Sequence, residues 1–160
     1  MSFRMIKRGA YAGVAGGIPF GIMMGMMGML PMIGMMVGSS SAVAGFGVHI
    51  GISAVIGIGF AIVFGRVVSG AIGTIGAGMA YGAAWWLLGP LTLMPLFMGM
   101  GLGANWNTQA VVSAMPSLMG HLVFGAALGL AYSLGRLIPD ENTKRAAGVL
   151  VAAAASAEED

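Results

Sequence analysis

VAGFGVHIGISAVIGIGFAIVFG, the run from Val43 to Gly65, holds no aspartate, glutamate, lysine or arginine and is closed by Arg66. A bilayer core about 30 Å thick is crossed by about 20 apolar residues of α-helix, and this run has that length. His49 is its one strongly polar side chain. Three further stretches share its character: Gly9 to Leu30, Ser69 to Gly89 and Ser113 to Gly135. The composition of the whole chain agrees. Of 160 residues, 58% are hydrophobic and 8% charged, with mean hydropathy +0.94. A soluble domain carries about 25% charged residues on its wetted surface. The sequence therefore predicts an all-α integral membrane protein with four transmembrane helices.

The charges orient these helices. All seven basic residues, Arg4, Lys7, Arg8, Arg66, Arg136, Lys144 and Arg145, lie before the first span, between the second and third, or after the fourth. The connections at 31–42 and 90–112 carry no charge. Lysine and arginine concentrate in cytosolic loops, which predicts a cytosolic N-terminus at 1–8, a cytosolic link at 66–68 and a cytosolic tail at 140–160. The expected arrangement is N-in/C-in in the plasma or inner membrane of the cell. A net charge of +2 from scattered residues forms no stripe for a phosphate backbone, so no nucleic-acid partner is expected. The first apolar run is about twice as long as the 7–15 residues of a signal-peptide core, so it is expected to be retained as a span. Without cysteine there are neither disulfides nor thiolate ligands.

The two halves resemble each other. Phe20-Gly21 corresponds to Tyr81-Gly82, followed at equal intervals by Gly28 and Gly89. His49 and His121 are each followed by glycine eight residues on, Gly57 and Gly129, then by an aromatic, Phe60 and Tyr132. Both units end on Gly-Arg, at Gly65-Arg66 and Gly135-Arg136. This predicts two tandem helix hairpins, residues 9–65 and 69–135. Each contains an even number of spans, so the copies enter the membrane in the same direction, related by a pseudo-twofold axis along its normal.

Glycine supplies 29 residues, and its spacing is regular where it matters. Gly9, Gly13, Gly17, Gly21 and Gly25 recur every fourth residue, along one helix face. Gly47 and Gly51, Gly78 and Gly82, and Gly125 and Gly129 repeat the spacing. Helices in lipid associate by close backbone approach at such small-residue faces, so all of these are expected to serve helix packing.

Ionisable groups inside a membrane are costly and often functional, which singles out His49 and His121, at equivalent positions of the two units. Ser53 and Ser117 lie one turn from them. Facing imidazoles could ligate a b-type haem, with the flanking glycines admitting the porphyrin. Alternatively, they could join methionine in a Cu(I) site, since thioether sulfur suits that ion. Of the 16 methionines, eight fall between Met23 and Met36, and Met94, Met98, Met100, Met115 and Met119 lie near the outer side of the second unit. The expected metal ligands are His49, His121, Met115 and Met119. A structural role accounts for the same residues: histidine bonded to a serine or a carbonyl, and methionine as an adaptable filler.

No carboxylate lies near the outer half and no serine has a relay partner, so acid–base enzymology is not expected. Trp106, and the Trp85-Trp86 pair, read as interfacial anchors. The apolar stretches 31–38 and 90–104 are too short to span and are expected to lie at the interface or dip back in under cover of protein.

The pattern Gly120-His121-Leu122-Val123-Phe124-Gly125 through Leu128-Gly129-Leu130-Ala131-Tyr132, with Met94-Pro95 and His49, resembles a family of small prokaryotic four-span membrane proteins of unknown function, over residues 9–136. The resemblance implies topology alone. Three functions remain open on this sequence. The first is a non-enzymatic subunit or packing module, forming a homo-oligomer or a larger membrane complex. The second is a haem or copper protein acting through His49 and His121, and the third a channel or transporter for a small solute.

Overall fold

The computed structural model describes residues 2–138 and 145–151, which contain helices and no strands. Lipid offers the backbone no hydrogen-bond partners, so each crossing segment must satisfy its amides internally, as a helix does. α1 (Phe3–Met26) starts ahead of the expected span, carrying Arg4, Lys7 and Arg8 on its first turns. It stops at Gly28, whose φ of 68° suits glycine. Gly28 N–H donates to Gly25 O and Met29 N–H to Met24 O, the paired bonds of a Schellman cap. α2 (Leu30–Gly34) follows, with Pro31 in its first turn, where a missing N–H costs nothing.

α3 (Ala42–Phe64) is capped by Ser41, whose hydroxyl accepts from Val43 N–H. α4 (Ala71–Leu88) continues through a wider turn at Gly89–Leu93 into α5 (Met94–Phe97). Asn107 caps α6 (Thr108–Arg136) by accepting from Ala110 N–H at 3.0 Å. Among the described residues, α1, α3, α6 and the continuous stretch from α4 through α5 are long and apolar enough to cross a membrane. Their outward faces carry exposed Val43, Val55 and Ile72, side chains that belong in lipid.

α1 packs chiefly on α3, α4 on α6, and α1 also on α6, whereas the α3 and α4 backbones stand apart and are bridged by the Tyr81 side chain, which lies on Phe60 and Phe64. The bundle is thus an open ring in the order α3–α1–α6–α4. Glycine sets these contacts. A Cβ on Gly57 would stand 2.5 Å from Gly13 Cα, and one on Gly129 would stand 2.8 Å from Ile75 Cα. Gly9, Gly17 and Gly21 likewise lie hard against α3, and Gly78, Gly82 and Gly125 mark the crossing of α4 with α6. Gly16 turns the opposite side of α1 toward Phe124 and Leu128 of α6. Phe20, Phe60, Phe124, Leu128 and Tyr132 fill the core between these crossings.

At the Arg136 end, its guanidinium donates to Val68 O at 2.6 Å and Gly65 O at 2.8 Å. It also sits over the Tyr132 ring, 4.9 Å from the centroid, tying the α3–α4 link to α6.

Three expected features fall elsewhere. Gly47 and Gly51 face open space, where an added Cβ would meet nothing within the chain, and Gly25 meets only Leu30 at ordinary contact distance. Trp86 is buried and donates its indole N–H to Ala114 O and Ser117 Oγ, so it is an interior strut; Trp106 is exposed. All five acidic residues of the tail lie outside the described residues.

Candidate functional site

α3 brings His49 against α1 because Gly17 and Gly21 have no side chains to hold it off. A Cβ on Gly21 would stand 3.0 Å from the His49 ring. The imidazole reaches Gly17 O at 2.9 Å through Nε2. A carbonyl oxygen only accepts, so Nε2 carries the proton and Nδ1 the lone pair. On α6, His121 uses the other nitrogen: Nδ1 reaches Ser117 O at 2.7 Å, leaving Nε2 with the lone pair. Gly89 lies beside that nitrogen, at the turn where α4 ends.

Phe20 stands between the two elements and touches both rings, with centroids 5.3 Å from His49 and 4.6 Å from His121. It can do so because Gly120 leaves its place on α6 bare. Three polar atoms, His49 Nδ1, His121 Nε2 and Ser53 Oγ, have no hydrogen-bond partner among the described residues. Ser53 is only 2% exposed and His49 7%. None of the three is walled off, because no buried side-chain nitrogen or oxygen among the described residues lacks a partner; each is open to the space beside it.

They line a common cavity of about 190 Å³ in the gap between α3 and α4. Phe20 and Met24 come from α1, Met29, Met32 and Met36 from the α2 region, and Ile52 and Ser53 from α3. Trp85, Gly89, Met94 and Phe97 close the opposite side, with Ser117, His121 and Phe124 of α6 behind. A shallower depression shares Met29, Pro90 and Ser117 with it and extends toward Asn105 and Ser113. The long 90–107 connection is held over this region by Trp106 Nε1–H to Thr92 Oγ1 and by Thr92 Oγ1–H to Leu87 O.

The structure thus brings His49 and His121 to one cavity, but not Met115 and Met119, which point outward at 46% and 58% exposure. The cavity methionines are Met24, Met29, Met32, Met36 and Met94 instead. Spacing along one helix could not reveal them, because the turn at Gly28 lays α2 against α3. Ser53 was legible as the residue one turn from His49. A b-type haem does not fit here. The cavity is smaller than the roughly 300–1,000 Å³ of pockets that enclose even drug-sized ligands. Among the described residues no three His, Cys, Asp or Glu side chains come together.

Compared with known proteins, the chain matches no family model, and no curated protein or solved structure is similar to it.

Proposed function

We propose that this chain is a small, non-enzymatic multi-pass membrane protein that binds a small solute in the outer half of the bilayer, between two tandem hairpins whose termini are cytosolic. The observation that carries this is the cluster of unpaired His49 Nδ1, His121 Nε2 and Ser53 Oγ in one otherwise apolar cavity. The transporter and the binding-protein readings share this site, and the adjoining depression offers a way in from the outer side.

Repeat-like contacts support the tandem arrangement. Gly13 meets Gly57 and Gly17 meets Ser53 in the first hairpin; Thr74 meets Gly129 and Gly78 meets Gly125 in the second. These are the pairs made equivalent by aligning Phe20-Gly21 with Tyr81-Gly82 and His49 with His121. The same alignment places Val48 opposite Gly120. Gly120 admits Phe20, but Val48 offers no such space to Tyr81, which bonds Ile56 O instead. That inequality accounts for a ring closed between α1 and α6 and open between α3 and α4.

A second role is favoured by one observation. Val43, Gly47, Gly51 and Val55 share an exposed face of α3 with nothing against it, a surface suited to a second membrane helix.

The test uses the absence of native cysteine. Ser53→Cys in proteoliposomes should react with a small thiol reagent added from the outer side, whereas Leu128→Cys in the closed core should not. Equal inertness of the two would refute the cavity as a binding site.

A further inference from the structure

We infer that the solute is a soft monovalent cation of the Cu(I) class, held by His49 Nδ1 and His121 Nε2 together with thioether sulfur from the cavity methionines. This rests on the solute-binding reading above and names its ligand.

The polarity of the cavity selects the ligand. Both imidazoles donate their N–H to backbone carbonyls, so what they present to the cavity is electron pairs. A quinone carbonyl or an anion brings more electron pairs and finds only the Ser53 hydroxyl to donate to it. The complementary species accepts electron pairs. Thioether sulfur is a weak hydrogen-bond acceptor but a good ligand for Cu(I), and imidazole also suits copper. Met24 is 5% exposed, and Met29, Met32 and Met94 join it around the cavity.

Charge narrows the choice further. No aspartate or glutamate lines the cavity, so calcium and magnesium lack the oxygen ligands they require. A divalent ion would also keep its full charge in a low-dielectric site with no anionic ligand to offset it. The Born cost of an ion rises with the square of its charge, so a monovalent ion is far cheaper to place there. Cu(I), with a filled d shell, imposes little geometry and accepts few ligands.

The support around the rings fits a metal site. Histidine ligands ordinarily hold their second ring N–H on a carbonyl or carboxylate, which fixes tautomer and orientation. Gly17 O and Ser117 O provide that support here. Contact with lipid accounts for Met115 and Met119, which face outward, whereas the free His49 nitrogen opens on the cavity that the other methionines line.

The test is titration of the full chain in mild detergent with Ag(I), and with Cu(I) under anaerobic reduction, against a chelator of known affinity. Trp85 in the cavity wall supplies a fluorescence readout. One equivalent is expected to bind and quench, with Zn(II) failing to compete. The His49→Ala/His121→Ala protein should bind at least about 100-fold more weakly. Because that variant can misfold, Met24→Leu/Met94→Leu, which keeps core volume, should lower affinity by about tenfold. Absence of stoichiometric uptake, uptake unchanged in both variants, or displacement by Zn(II) would each overturn the assignment. Failure here with Ser53→Cys still reactive removes only the identity of the ligand; failure of both removes the site.

Discussion

Replacing Gly57 by alanine tests the claim that bare backbone sets the α1–α3 distance. The new methyl carbon would lie 2.5 Å from Gly13 Cα and 2.6 Å from Gly13 N, with Gly9 O also in its way. Carbon pairs prefer about 3.5–4.0 Å, so the helices must part by roughly 1 Å. All three obstacles are backbone, which no rotamer change can move aside. Overpacking of this kind costs about 1–3 kcal/mol. Alanine also gains up to about 1 kcal/mol over glycine in helix propensity, which would blur a comparison with the native chain. Gly47→Ala removes that ambiguity, being the same exchange in the same helix with nothing within 4 Å of the new methyl. The difference between the two variants isolates the packing term. In reversible unfolding from mixed micelles, Gly57→Ala should be less stable than Gly47→Ala by about 1–3 kcal/mol. Equal stability would refute the reasoning, because it would mean that α1 and α3 do not cross at Gly13 and Gly57.

Gly120→Ala should destabilise by about 1–3 kcal/mol, since its methyl would enter the Phe20 ring. Phe20→Leu should recover part of that loss, and a double-mutant cycle showing no coupling would contradict the contact. Arg136→Lys loses the two-pronged grip on Val68 O and Gly65 O; hydrogen exchange at residues 65–70 should then quicken, at a global cost of about 1–2 kcal/mol. Reporter fusions to the C-terminus should be active only as cytosolic reporters, and a periplasm-type signal there would reverse the orientation read from the basic residues.

The spans were legible because lipid imposes a length and forbids charge, and few soluble folds show 43–65 without an acid or base. Matching offsets to Gly57 and Gly129 marked His49 and His121 as equivalent positions, but whether the two rings meet was not legible, because it depends on Phe20 and on how α1 packs against both α3 and α6. What sequence could not sort was direction around each helix. Gly13 and Gly47 sit in the same four-residue spacing, yet one is clamped to backbone and the other faces outward. In water a polar stripe would mark the difference, whereas here both faces are apolar. Trp86 illustrates the same limit. As an aromatic near a span end it resembled a belt residue, but Ala114 O and Ser117 Oγ draw its N–H inward. The cavity methionines stayed hidden because the Gly28 cap folds α2 back, a tertiary event that places Met29, Met32 and Met36 beside α3.

The central claim is that two lone pairs face one cavity, and the chain has only two histidines, so their ring nitrogens can be read without mutation. Nitrogen-15 spectra of the histidine-labelled protein in lipid should show opposite tautomers, one ring protonated at Nε2 for His49 and one at Nδ1 for His121, each with a bare partner nitrogen. Single His49→Gln and His121→Gln proteins would assign them. Two rings in the same tautomer, or either ring bonded at both nitrogens, would contradict the account.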